Sequence, residues 1–236
     1  MNEALKLKKK YKTARDKLFN SLIINNDGFI FNNHHTKLVD DVVRDIVKNI
    51  IKEYSIDDFA LIAVGGYGRN DLSPKSDVDL LFLYKKSNKN IKNFITTLNN
   101  NLWDVGLEVG ISFLTLKQVI IDSKKDIKTV TKFAESRHLI GDEDYYGEFV
   151  RSIKILIGRL NPLKLSEKKL LELVERHDYY LGIKSNLEPQ IKEGIGGLRD
   201  IHTIIWVSIF MFNVLKLEDL IQINIFTSKE VKELKN

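Results

Sequence analysis

Apolar positions recur every fourth residue in "LVDDVVRDIVKNII", so that Leu38, Val42, Ile46 and Ile50 share one face, and this spacing predicts a helix over 36–54. A second helix is predicted over 4–22, and the Asn- and Gly-rich "NNDGFIFNNHH" between the two reads as a loop. The pattern then changes. "FALIAV" (59–64) and "VDLLFLY" (78–84) are continuous apolar runs of strand length, and "LEVGISFLTL" (107–116) reads as a third strand. A helix is predicted between the last two, over about 88–103, with Ile91, Phe94, Leu98 and Leu102 on one face. From about 118 onward the pattern is helical, most clearly over 166–182 and 198–212. Strands in the middle and helices at both ends predict an α/β (α+β) chain: a small mixed β-sheet with flanking helices and a C-terminal helical region. The corresponding divisions are 1–55 (helical), 56–145 (the sheet-containing catalytic layer) and 146–236 (helical).

Composition narrows the functional classes. The chain of 236 residues is long enough to bury a full core. It has no cysteine, which removes disulfides and thiolate metal sites and agrees with a reducing compartment. The longest apolar stretch, "IIWVSIFMFNVL", is shorter than the roughly 20 residues that span a bilayer. The start has no apolar segment of the kind a signal peptide carries, so a cytoplasmic protein away from membranes is expected. Lys6, Lys8, Lys9, Lys10, Lys12, Arg15 and Lys17, set against Glu3 and Asp16, account for the whole formal excess of +5. The rest of the chain is balanced, so net charge does not indicate a nucleic-acid-binding face, and the leading basic run reads as a solvated helix end.

Candidate chemistry concentrates in "AVGGYGRNDLSPKSDVDLLFLY" (63–84). On a strand, Asp77 and Asp79 project to one side while Val78 and Leu80 point to the other. Two carboxylates on one face of an apolar strand repel each other unless a cation lies between them. Mg²⁺, which takes oxygen ligands and shares carboxylates with substrate phosphates, is the expected cofactor. Gly65 and Gly66 end the preceding strand with bare backbone that phosphate oxygens can approach, Arg69 is placed to add a charge-assisted contact, and Ser76 follows in order before the aspartates. The spacing is neither a dinucleotide fingerprint nor a P-loop. A second glycine-rich turn, Gly194, Gly196 and Gly197 flanked by Lys192 and Arg199, opens the apolar helix at 198 and is another candidate anion cradle, or simply a helix start that packs closely.

"GGYGRNDLSPKSDVDLL" resembles the signature of the polymerase-β-type nucleotidyltransferase superfamily. "NLEPQIKEGIGGLRDIHTIIW" (186–206), "LWDVGLEVGIS" (102–112) and "ESRHLIGD" (135–142) resemble, more narrowly, the bacterial PII uridylyltransferase family. The resemblance covers roughly residues 60–210. It implies a polymerase-β-like nucleotidyltransferase domain over 56–145, Mg²⁺ on Asp77 and Asp79, and nucleotide contacts from Gly65, Gly66, Arg69, Ser76, Lys192 and Arg199. It also implies a third carboxylate on a neighbouring strand, for which Glu108 is the candidate as ligand or base. The implied reaction transfers UMP from UTP to a tyrosine of the regulatory protein PII, releasing pyrophosphate.

The chain departs from the family's pattern in Glu188-Pro189-Gln190, in Gly194-Ile195-Gly196-Gly197, and in Gly110-Ile111-Ser112-Phe113-Leu114-Thr115, which lacks a His and an Arg that the family shows there. The full family enzyme continues into an HD hydrolase domain and ACT domains. The sequence stops at Asn236, so UMP-removing activity is not expected of it. The His177-Asp178 dipeptide and the His34-His35 pair both read as features other than metal sites. Transfer of another nucleotide to another acceptor, a non-catalytic nucleotide-sensing remnant, and nucleic-acid binding through residues 1–17 are the alternatives to be separated by experiment.

Overall fold

The structure is a computed structural model that describes residues 3–25, 27–86, 89–182, 190–214 and 218–235. The chain divides into two compact units, Met1–Ser152 and Ile153–Asn236. In the first, helices α1 (Glu3–Asn25) and α2 (Gly28–Tyr54) precede β1 (Phe59–Val64), the short helix α3 (Gly65–Gly68), β2 (Val78–Tyr84) and α4 (Lys89–Val105). There follow β3 (Val109–Leu114), α5 (Leu116–Lys125), α6 (Ile127–Ala134), β4 (Ser136–Gly141) and α7 (Glu143–Arg159), within which the boundary falls.

Among the described residues, four strands form one mixed sheet in the order β3-β2-β1-β4. β1 runs antiparallel to both β2 and β4, whereas β2 and β3 are parallel. All six residues of β1 are buried, as are Val78 and Leu80 to Leu83 of β2. On one face Phe59, Leu61, Ala63, Val78, Leu80 and Phe82 share a core with Val39, Val43 and Val47 of α2 and Phe94, Leu98 and Leu102 of α4. The opposite face, with Ala60, Ile62, Leu81 and Leu83, is equally dry. Each Val, Leu, Ile or Phe side chain among them, fully buried, contributes about 1.5–3 kcal/mol. Burial on both faces explains why these strands are continuous apolar runs rather than alternating ones.

Of the loop expected over 25–35, Asn25 ends α1 and Gly28 to His35 form the first turns of α2. Asp27 caps this helix by accepting from the Ile30 N–H at 2.9 Å. Its polar residues are used in tertiary contacts: Asn32 donates to Asp71 at 2.8 Å, and Thr36 Oγ1 accepts from the Leu72 N–H at 3.3 Å. The purely helical pattern expected after 118 is interrupted by β4. This edge strand buries only Leu139 fully, so its composition hides it. The strand expected over 107–116 is shorter. The Leu107 N–H caps α4 by donating to Leu102, and Thr115 begins α5 in a capping box with Gln118.

In the second unit α8 (Pro162–Gly182) packs against α9 (Leu198–Phe212), followed by α10 (Asp219–Gln222) and α11 (Ser228–Lys235). No helix among the described residues is long and apolar enough to cross a membrane.

Candidate active site

Asp79 lies on β2 between two glycines. Its register partner on β3 is Gly110, where an added Cβ would stand 3.1 Å from Asp79 Oδ1. On the other side is Gly65, the first residue of α3, whose missing Cβ would lie 3.7 Å from Asp79 Oδ2. Gly65 has φ +60°, a left-handed conformation that glycine adopts without steric cost. The carboxylate is thus approached by bare backbone on both sides, and its side chain is 37% exposed. Asp77 is exposed just before β2, and the alternation of the strand puts it on the Asp79 face. Glu108 is exposed just before β3, and its carbonyl accepts from the Val78 N–H at 2.8 Å, pinning the start of the parallel pair. Among the described residues no three His, Asp or Glu side chains gather into a group that could hold a metal ion. The donor set is a pair of accessible carboxylates beside glycine backbone. It suits a hard cation that completes its shell with water and phosphate oxygens.

The turn that follows β1 is held by a segment the sequence did not assign to the site. The end of α6 and the start of β4, residues 132–137, clamp it. Lys132 Nζ donates to Asp79 Oδ1 at 2.8 Å. Glu135, buried at the end of α6, takes the Arg69 guanidinium, and a Cβ on Gly68 would stand 2.2 Å from the Glu135 carbonyl oxygen. Gly68 is therefore a packing glycine. Arg137 donates to both oxygens of buried Asp40 at 2.6 and 2.9 Å, and Tyr67 donates its hydroxyl to the same carboxylate at 2.7 Å. Burial, then the neighbouring Asp40 carboxylate, hold the Tyr67 phenol well above its ordinary range, so the hydroxyl stays a donor. Arg69 thus reaches Glu135 and, at 3.8 Å, Asp71.

Ser76, exposed, closes a turn through its N–H to the Ser73 carbonyl at 3.0 Å. The loop carrying it is fixed to α2 by Asn32, His35 and Thr36. His35 Nδ1 is 3.0 Å from the Leu72 carbonyl, which can only accept, so Nδ1 carries the proton and Nε2 faces the Tyr11 hydroxyl at 3.4 Å. "ESRHLIGD" supplied a visible motif for Glu135 and Arg137 but no role. Lys132 and Asp40 carried no sequence signal at all.

Comparison with known proteins agrees with this geometry. Residues 43–141 match the nucleotidyltransferase domain family, and residues 164–236 match the family described as GlnD PII-uridylyltransferase. Curated relatives named bifunctional uridylyltransferase/uridylyl-removing enzyme include one from Hydrogenovibrio crunogenus, 36% identical over 205 residues, which make up 84% of this chain and 22% of that protein. Another, from Pseudoalteromonas translucida, is 40% identical over 179 residues, 75% of this chain and 20% of that protein. A third, from Chromobacterium violaceum, is 40% identical over 154 residues, 63% of this chain and 17% of that protein. The chain belongs to the PII-uridylyltransferase family. It spans about a fifth of the length of these relatives.

The uridylyltransferase-family match in the second unit includes the second glycine motif. Glu188 and Pro189 lie outside the described residues. Gly194 and Gly197 are required by close backbone: a Cβ on either would stand 2.6 Å from the carbonyl of Gln190 or Ile191. Gly196 has φ +74° and donates its N–H to Asp200 at 2.8 Å. Asp200 also takes His177 Nε2 at 3.0 Å and the Arg176 guanidinium, so the anion this cradle holds is the chain's own carboxylate. Burial alone would raise the Asp200 carboxyl, but hydrogen bonds from His177, the Gly196 N–H and Arg176 outweigh it and hold it below the usual range. His177 is thereby explained as a staple between α8 and this turn. Arg199 pairs with Glu193 at 2.9 Å and lies over the Trp206 ring, while Lys192 is exposed.

Proposed function

We propose that the chain transfers UMP from UTP to a tyrosine hydroxyl of the PII signalling protein, with pyrophosphate as the leaving group and Mg²⁺ held by Asp77 and Asp79. The observation that carries this reading is the Asp79 carboxylate set between Gly65 and Gly110 on the face it shares with Asp77. When bound, Mg²⁺ supplies charge neutralisation on the transferring phosphoryl group and on the departing pyrophosphate. The chain's own residues do the positioning. Gly65 and Gly66 let the triphosphate approach the backbone beside the carboxylates. Arg69, braced by Glu135, and Ser76 line the loop that leads from that turn to Asp77. Glu108, next to the start of β2, is the group we assign to receive the acceptor's proton. We place the reaction in the cytoplasm, in keeping with a chain that contains no cysteine.

The deciding experiment is incorporation of label from α-labelled UTP into purified PII with Mg²⁺. Label from UTP but not from α-labelled ATP, abolished by combined Asp77→Asn and Asp79→Asn substitution, is the expected result. Equal transfer from ATP reassigns the nucleotide. Label that survives the double substitution refutes the site.

A further inference from the structure

Lys132 belongs to none of the motifs discussed above, yet its ammonium is bonded to Asp79. It stands in the last turn of α6, with Nζ 2.8 Å from Asp79 Oδ1. Its stem passes the glycine turn, and a Cβ on Gly65 would lie 3.9 Å from Lys132 Cγ. The two side chains are 33% and 37% exposed, so the pair is formed at the mouth of the site rather than locked in the core. A divalent cation and an ammonium cannot share one carboxylate oxygen without strong mutual repulsion. A lysine is a point charge on a flexible four-carbon stem and can leave such a contact by rotation about its own bonds.

We propose that Lys132 is a displaceable counter-ion. Before substrate binds it neutralises Asp79 and opposes binding of a bare divalent metal. When the metal arrives with a nucleoside triphosphate, Lys132 passes from Asp79 to the triphosphate oxygens, next to the Gly65 backbone that its stem already crosses. Metal and nucleotide then bind with positive coupling, each strengthening the other by the same factor. The inference rests on the reading of Asp77 and Asp79 as metal carboxylates.

The test titrates Mn²⁺ without nucleotide, following free Mn²⁺ by its paramagnetic resonance, into wild type and the Lys132→Met, Lys132→Arg and Asp79→Asn variants. UTP affinity is then measured by equilibrium dialysis at saturating Mg²⁺. Lys132→Met is expected to tighten Mn²⁺ binding about fivefold and to weaken UTP binding by a similar factor, the scale of one partly exposed ion pair. Lys132→Arg, which keeps the charge, should stay close to wild type in Mn²⁺ affinity. Thermal melts of all variants check that each is folded. Equal Mn²⁺ affinity for wild type and Lys132→Met, at whatever level, overturns the proposal, and if Asp79→Asn still abolishes binding the metal site itself survives. Mn²⁺ binding indifferent to Asp79→Asn overturns both. Unchanged UTP affinity in Lys132→Met overturns the handover to the triphosphate.

Discussion

Two glycines beside the site make opposite predictions, because what a new Cβ would meet differs. At Gly68 it would run into the Glu135 backbone carbonyl at 2.2 Å, which cannot move without displacing the start of β4. Gly68→Ala is therefore expected to lose at least about 1–3 kcal/mol in urea unfolding. At Gly110 the nearest atom is the end of the Asp79 side chain at 3.1 Å, which can rotate away. Gly110→Ala should keep its stability to within about 1 kcal/mol and instead reduce label transfer, because the carboxylate is pushed off its position. The buried pair behind the turn predicts a third outcome. Arg137→Met leaves the Asp40 carboxylate buried without its bidentate partner and should cost about 3–5 kcal/mol. Combining it with Asp40→Asn should recover part of that loss, a coupling that a double-mutant cycle in urea measures.

At the level of elements, α2 works as the anchor of the loop that delivers Asp77, and the anchor is sensitive to pH. Burial holds His35 below its ordinary range, so the folded protein favours the neutral ring. The unfolded chain takes up a proton near pH 6.5. Stability from this group is therefore complete above that value and is lost as pH falls through it toward the lower folded value. His138 is depressed in the same direction, also by burial. Unfolding free energy should fall between neutral pH and about pH 5, with a smaller slope in His35→Gln and a smaller one still when His138 is also replaced. The turn before α9 has its own dependence. Asp200 is depressed in the fold, so its contribution is present above the ordinary carboxylate range and disappears as pH falls through its lower folded value. Hydrogen exchange at the Gly196 amide, measured down a pH series, should report this, and His177→Ala should move the onset to higher pH.

Across the whole molecule, what could be read from sequence was what depends on neighbours in the chain. The apolar runs of β1 and β2, the face of α4 and the glycine turn with its following aspartates are local patterns, and the structure brings Gly65 and Asp79 together as the strand order requires. The parts that escaped depend on distant partners. β4 looks helical because Arg137 is polar, yet the residue lies against Asp40 of α2, almost a hundred positions earlier. The start of α2 looks like a loop because Asn32, His35 and Thr36 are polar, yet each is bonded to the 71–72 segment. Lys132 has no local reason to be singled out, since only the fold sets it against Asp79. The clamp of residues 132–137 also sets an order of assembly. β1, α3 and β2 can pair as a hairpin soon after they leave the ribosome, but the glycine turn stays unbraced until Glu135 and Arg137 have been synthesised and β4 has closed on the far edge of β1. A nascent chain released before that point would display both aspartates on an unbraced scaffold, so the candidate site is completed only when the sheet is.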